Sequence, residues 1–273
     1  MAFAEISTSG IVLLGCGKMG SAMLRGWLKA GLEPRAVCIL DPNPSPELVA
    51  LADEGVNLNG PLPDKPTICL LAVKPQLMDA ALPTVAQLGG GETLILSVAA
   101  GTPISRFEEV FGASTPIIRA MPNTPAAIGQ GIAALVGNAK ATQEHLTLAE
   151  TVLAAIGQTV RLETEAQIDA VTGLSGSGPA YVFHMIECMA KAGEAEGLPS
   201  DLSMKLAQAT VAGAGALAMQ PGTTAEQLRI DVTSPNGTTQ AGLEVLMDPD
   251  TGLPPLIRRT VGAAAQRSRA LSK

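Results

Sequence analysis

Gly15-Cys16-Gly17-Lys18-Met19-Gly20 follows directly on the apolar run Ile11-Val12-Leu13-Leu14 and leads into a helix-forming stretch over 22–30, which Gly31 stops. A strand, a Gly-x-Gly-x-x-Gly turn and a helix in that order suit the pyrophosphate of a dinucleotide. Gly15 permits the tight turn, Gly17 lets backbone approach the phosphates without a Cβ in the way, and Gly20 lets the helix pack closely on its strand. Cys16, Lys18 and Met19 fill the same loop, and the helix N-terminus faces the phosphates. Asp41 ends the next apolar run, where a carboxylate can accept hydrogen bonds from both hydroxyls of an adenine ribose and repel a 2'-phosphate. That reading predicts NADH over NADPH; the bland alternative is a turn residue before Pro42.

Further clusters sit where other runs end. After Ala72 and Val73, Pro75 stops a strand and pre-sets a turn, so Lys74 offers an ammonium and a backbone amide to the cofactor's phosphates or nicotinamide ribose; a solvated surface lysine is the alternative. Thr102-Pro103 reads as a helix start, with Thr102 as its N-cap. Met121-Pro122-Asn123-Thr124-Pro125 is a stiff loop that holds the polar groups of Asn123 and Thr124 in place. Gly173-Leu174-Ser175-Gly176-Ser177-Gly178-Pro179 is a flexible turn ahead of a long helix, suited to close packing against the nicotinamide end. Ser234-Pro235-Asn236-Gly237-Thr238-Thr239 leads into a helix over 238–247. Its amides suit a carboxylate and a threonine hydroxyl suits a substrate nitrogen, although an ordinary helix cap looks the same.

The elements that position these residues alternate. Apolar runs over 11–14, 36–40, 67–73, 93–98, 116–120, 131–136 and 159–162 read as strands, and helical patterns at 46–54, 103–111 and 142–156 fall between them. Strands alternating with helices predict a mostly parallel, doubly wound sheet whose strands are covered on both faces. The clusters of the first half each follow the carboxyl end of a strand, the edge where such sheets bind ligands. From 165 onward only helical periodicity remains. The segments 179–196, 202–219 and 254–271 are rich in small and apolar residues on more than one face, which predicts an oligomer interface; the alternative is a monomer whose helices pack on the sheet domain. The boundary is placed between 163 and 164.

Composition excludes several classes. The net charge of −7, with charges scattered along the chain, argues against nucleic acid or an anionic membrane as partner. No charged-then-apolar leader and no run near bilayer-spanning length appears, which predicts a cytoplasmic protein whose first ten or so residues are a polar, poorly ordered start. Cys16, Cys38, Cys69 and Cys188 lack C-x-x-C spacing and read as reduced thiols. His145 and His184 read as isolated, so no metal site is expected.

Taken in order and spacing, the segment 15–20, Ala72-Val73-Lys74-Pro75-Gln76, Ser97-Val98-Ala99-Ala100-Gly101, Arg119 to Pro125, Ser175 to Tyr181 and Ser234 to Thr239 resemble the pyrroline-5-carboxylate reductase family along essentially the whole chain. The resemblance implies a Rossmann-type α/β domain followed by an all-helical dimerisation domain. It implies hydride transfer from NAD(P)H to the imine carbon of 1-pyrroline-5-carboxylate, giving L-proline, and a homodimer, with a decamer built from such dimers as a further assembly in some members. In these terms the glycine turn holds the pyrophosphate, and Ala72, Val73, Lys74 and Pro75 contact ribose and nicotinamide. Ser234, Asn236, Gly237, Thr238 and Thr239 bind the substrate carboxylate, and the Thr239 hydroxyl meets the ring nitrogen.

Three departures from the family pattern stand out. Asn236 replaces a common glycine, Asp41 replaces a small or basic residue of NADPH users, and the stretch 55–67 is short. Asn59 is then the nearest counterpart of an asparagine that touches the adenosine 2'-phosphate. Rivals are a reductase of a related cyclic imino acid, a 6-phosphogluconate-type dehydrogenase, disfavoured because 180–185 contains no lysine, and a dinucleotide sensor without turnover.

Overall fold

Short apolar runs covered on both faces suit parallel strands, and all seven runs named above contain strands, although the run over 131–136 is antiparallel to its neighbour over 116–120 and the last, over 159–162, is largely exposed. The structure, a computed structural model, describes residues 3–271. β1 (Ile11–Leu14), β2 (Val37–Leu40), β3 (Asn57–Leu58), β4 (Ile68–Leu71), β5 (Leu94–Ser97), β6 (Ile117–Met121), β7 (Gly131–Gly137) and β8 (Gly157–Arg161) form one sheet in the order β3-β2-β1-β4-β5-β6-β7-β8. Neighbours run parallel except β6 and β7, which pair antiparallel with Ile118 opposite Gly137. The chain steps outward from β1 to β3, returns beside β1 as β4, and steps outward the other way to β8. The order reverses between β1 and β4, which opens a crevice at the carboxyl ends of those strands.

Along the strands, alternate side chains leave opposite faces. Ile11, Leu13, Ile39, Ile68 and Leu70 pack with Met23 and Trp27 on one face. Val12, Leu14, Cys69, Leu71 and Ile95 pack with Met78, Leu82, Phe107 and Phe111 on the other. The helices that cover them are α1 (Ala4–Ser9), α2 (Lys18–Lys29), α3 (Pro46–Asp53), α4 (Met78–Ala81), α5 (Ile104–Phe111), α6 (Gln143–Leu153) and α7 (Gln167–Val171). The Trp27 indole N–H donates to the Val152 carbonyl at 2.8 Å, which satisfies the ring's polar atom inside the core.

Several local expectations change. The N-terminal stretch contains α1 instead of a poorly ordered start, because Phe3 and Ile6, 9% and 0% exposed, give it an apolar side. β3, two residues long, carries too little pattern to be read from sequence. Thr102 does not cap α5: the helix begins after Pro103, and the Ile104 N–H is satisfied by Glu165 Oε1 at 2.9 Å. His184 is not isolated, since its Nδ1 lies 3.1 Å from Glu187 Oε2 and its Nε2 lies 3.6 Å from Cys188 Sγ, one helical turn on. Those partners engage opposite ring nitrogens, so one ion cannot bridge all three. Cys16, Cys38, Cys69 and Cys188 are all free thiols, the first three buried.

The chain divides into two compact units, Met1–Gly176 with Ala264–Lys273, and Ser177–Ala263. In this division the second compact unit begins at Ser177, and residues 264–271 group with the first. The cause is local packing: Ile168 of α7 is buried in the second core, and the following turn Thr172–Gly176 is π-helical. Ser268 Oγ donates to Asp169 Oδ1 at 2.6 Å and holds the C-terminal end to the same unit.

The second unit contains α8 (Gly178–Ala195), α9 (Ser200–Ala218), α10 (Ala225–Asp231), α11 (Thr238–Leu246) and the first part of α12 (Leu253–Leu271). α8 and α9 pack on each other, with Ser203 against Gly193. Many apolar side chains of this unit point outward, among them Phe183, 60% exposed, and Val245, 76% exposed. Among the described residues no helix is long and apolar enough to cross a membrane.

Candidate cofactor and substrate sites

The glycine turn leaves β1 at the point where the strand order reverses. Gly15 adopts φ +85°, a left-handed conformation that costs a side-chain-bearing residue about 1–2 kcal/mol, and its N–H donates to the Leu40 carbonyl at 2.8 Å. Gly20 lies in the first turn of α2, where a Cβ would stand 2.5 Å from the Gly15 carbonyl oxygen. Gly17 is exposed, and among the described residues no atom beyond its own chain neighbours and adjoining helix backbone lies within 4 Å of the place its Cβ would take. As the N-cap of α2, Gly17 offers no side chain, and the first turn carries no acidic residue. The first amides and the positive end of the helix dipole therefore face open space, the arrangement a pyrophosphate fits. Lys18 is exposed beside it and Met19 is half-buried. Burial pushes the Cys16 thiol up, so it stays neutral and adds no negative charge to the loop.

Asp41, at the end of β2, is half-buried, and its Oδ2 accepts the Cys16 N–H at 2.7 Å while Oδ1 accepts the Asn43 N–H at 2.9 Å. Asn59, directly beyond β3, is exposed, and its carboxamide is engaged with the backbone of Asp41. Asp41, Pro42 and Asn59 line a cavity of about 380 Å³ whose other wall is Leu14, Leu40, Val73, Leu77, Ala80, Ala81 and Thr84. An apolar cleft with a carboxylate at its rim fits a flat base and its ribose. Ala72 and Val73 are half-buried after β4, and a Cβ on Gly15 would meet Val73 Cγ1 at 2.6 Å. Lys74 and Pro75 follow, both exposed, with Pro75 opening a 3₁₀ turn. The glycine turn, Asp41, Asn59 and Ala72 to Pro75 thus gather at one edge of one unit.

The loops after β5 and β6 complete that edge. Ser97 Oγ accepts the Ala99 N–H at 3.3 Å, and Asn123 Oδ1 accepts the Ile132 N–H at 2.9 Å, so Asn123 holds its own loop against β7. Arg119, 5% exposed on β6, donates from Nη1 to Glu165 Oε1 at 2.7 Å. Glu165 therefore serves a buried guanidinium and the start of α5 at once. Nothing in the sequence announces this, because the residues it joins are 46 and 61 positions away.

The turn 234–239 belongs to the second unit. Asn236 has φ +58°, which asparagine tolerates where most side chains do not, so it can stand in for the family's glycine. Its N–H donates to Gln240 Oε1 at 2.7 Å, and the Gly237 N–H donates to the Ser234 carbonyl at 3.0 Å. Gly237 is the N-cap of α11 and gives no side-chain cap, so the amides of Thr238 and Thr239 head an open helix end. Ser234, Thr238 and Thr239 are exposed.

Fold and glycine turn together define a dinucleotide-binding oxidoreductase with a helical partner domain, and comparison with known proteins narrows the class. Residues 165–271 match the model described as pyrroline-5-carboxylate reductase dimerisation, and residues 10–101 match the one described as NADP oxidoreductase coenzyme F420-dependent. The chain is 34% identical over 271 residues to the pyrroline-5-carboxylate reductase of Pseudomonas aeruginosa, covering 98% of each. Its fold is similar to that of the pyrroline-5-carboxylate reductase from Coxiella burnetii, with TM-score 0.90, 31% identity, and 97% and 99% of the two chains covered. It is also similar to the Plasmodium falciparum pyrroline carboxylate reductase with NADP bound, with TM-score 0.79, 25% identity, and 98% and 99% covered. The chain belongs to the pyrroline-5-carboxylate reductase family.

Proposed function

We propose that this chain reduces 1-pyrroline-5-carboxylate to L-proline with NAD(P)H, with NADH preferred. The observation that carries the reading is similarity to pyrroline-5-carboxylate reductases along the whole chain, through both the glycine-turn unit and the helical one. When bound, the dinucleotide supplies a hydride to the imine carbon. The open end of α2 and the cleft rimmed by Asp41 support the pyrophosphate and adenosine roles of Gly15, Cys16, Gly17, Lys18, Met19, Gly20 and Asp41. Ala72, Val73, Lys74 and Pro75 extend the same edge toward the nicotinamide ribose. The amides heading α11 support carboxylate binding by Ser234, Asn236, Gly237, Thr238 and Thr239.

Thr239 orients the ring nitrogen. The cyclic imine enters protonated or gains its proton from solvent, so no strong side-chain acid is required. The protein's contribution is then mainly to hold donor and acceptor carbons together, an effect worth ~7 kcal/mol or more in well-oriented systems. The outward apolar side chains of the second unit, within a region matching the dimerisation model, support a homodimer. A decamer built from such dimers rests on the family resemblance.

The test is oxidation of NADH and of NADPH at matched concentrations on adding 1-pyrroline-5-carboxylate. Turnover with a higher kcat/KM for NADH is expected. A higher value for NADPH removes the Asp41 reading, and no turnover with either removes the reductase.

Thr239→Ala is expected to lower kcat about tenfold, the worth of one hydrogen bond made to the reacting ring, with the dissociation constant for NADH unchanged. Steady-state kinetics beside a fluorescence titration of NADH separate the two quantities. Unchanged kcat would take Thr239 out of the reaction.

A further inference from the structure

The cleft beside the glycine turn contains a connected set of hydrogen bonds that the general fingerprint for this fold does not require. Asn59 has φ +53°, and its own N–H donates to the Ile39 carbonyl at 2.8 Å. With the backbone turned this way, the carboxamide lies alongside Asp41. Its Oδ1 accepts the Asp41 N–H at 2.9 Å and its Nδ2 donates to the Asp41 carbonyl at 2.8 Å. This two-point contact extends the pairing of β2 with β3 by one side-chain rung and fixes both peptide groups of Asp41. A residue held on both sides has its Cα–Cβ direction fixed as well. The Asp41 carboxylate then takes one donor on each oxygen, the Cys16 N–H on Oδ2 and the Asn43 N–H on Oδ1. A carboxylate oxygen has two lone pairs, so each still has one acceptor site left, and Asp41 is among the residues that line the cavity.

We propose that Asn59 is a positioning residue for the adenosine end of the cofactor site. It fixes Asp41, and Asp41 in turn fixes the Cys16 amide of the glycine turn, so ribose recognition and the phosphate loop are set by one network. Asn59 acts on the cofactor through Asp41 and not by touching a 2'-phosphate. The assignment rests on the reading of Asp41 as the ribose anchor. It adds that discrimination between NADH and NADPH belongs to the pair, so replacing Asp41 alone disturbs the loop as well as the ribose site.

The test is Asn59→Gly, which tolerates the left-handed backbone and deletes the carboxamide, with Asn59→Ser, too short to span both peptide groups, as a second variant. Thermal unfolding establishes that each variant is folded, and kcat and KM are measured with NADH and with NADPH. The expected result is a rise of about tenfold in the NADH KM with kcat within about twofold of the parent, the size of effect one or two partly exposed hydrogen bonds produce. The NADPH KM changes less, so the ratio of the two kcat/KM values falls. In an Asp41→Ala background the same substitution changes neither KM further, because the carboxylate it positions is gone.

An unchanged NADH KM in folded Asn59→Gly overturns the assignment, and so does an equal rise in both backgrounds. A preference of the parent enzyme for NADPH defeats the ribose-anchor reading by itself. What then remains of the Asn59 assignment, its hold on the Cys16 amide through Asp41, is decided by whether the KM values for both cofactors rise together in Asn59→Gly.

Discussion

Gly15→Ala is expected to weaken NADH binding by about a hundredfold and to lower the melting temperature as well, while Gly17→Ala weakens binding with the melting temperature unchanged. The difference follows from what each added methyl meets. At Gly15 the backbone is left-handed, at about 1–2 kcal/mol for alanine. The new Cβ also stands 2.6 Å from Val73 Cγ1, 3.0 Å from the Val73 nitrogen and 3.1 Å from the Ala72 carbonyl carbon. The latter two are backbone atoms of the strand end and cannot rotate away, so the turn must move, at about 1–3 kcal/mol. The sum, roughly 2–5 kcal/mol, divides between the folded state and the geometry of the amides.

At Gly17 the position is open and the backbone extended, so alanine costs the fold nothing. In the proposed cofactor site its methyl instead occupies the space the phosphates would approach. Isothermal titration with NADH and a thermal melt on each variant distinguish these cases. Equal melting temperatures for Gly15→Ala and the parent would mean that the turn yields more freely than its contacts imply. Undiminished binding by Gly17→Ala would mean that the phosphates do not lie there.

The same contrast shows what the sequence makes legible. The glycine turn is readable because its chemistry is local: a strand, a backbone that only glycine permits and a helix start lie within about ten residues. The strands that frame it are readable because both faces are covered and the runs are continuously apolar. Asp41 can be placed because its distance from the turn is fixed by the length of a helix and a strand. Its hydrogen bond to the Cys16 amide cannot, since the residues are 25 positions apart and either has a sufficient local explanation.

Asn59 is reached from the sequence only through the family resemblance, as the nearest counterpart of an asparagine that touches the adenosine 2'-phosphate. Its clamp depends on β3, which is two residues long, and on a left-handed backbone. Thr102-Pro103 has the residues of a helix start and still does not cap α5. There tertiary structure overrides a local preference, because Glu165 arrives from a distant segment.

Glu165 yields the last large effect. Glu165→Ala is expected to cost about 3 kcal/mol of stability, and Arg119→Met distinctly less, although both remove the same ion pair. The asymmetry comes from burial: the Arg119 side chain is 6% exposed and that of Glu165 is 32% exposed. Removing Glu165 leaves a guanidinium under the sheet edge with its carboxylate partner gone, and Arg119 cannot lose its charge to escape the penalty. It also leaves the Ile104 N–H at the start of α5 without its acceptor, at about 1 kcal/mol by comparison with other lost caps.

Removing Arg119 instead leaves a carboxylate that water can reach and that still accepts the Ile104 N–H. Methionine fills most of the vacated stem volume in a core that already holds Ile104 and Ile168. Urea unfolding of both single variants and of the double variant measures the difference. The double variant is expected to lie near Arg119→Met plus the lost cap, because with the guanidinium absent the loss of Glu165 no longer strands a charge. Equal losses in the two single variants would show that Arg119 finds another partner when Glu165 is removed, and that the pair is not what holds the start of α5 to the middle of β6.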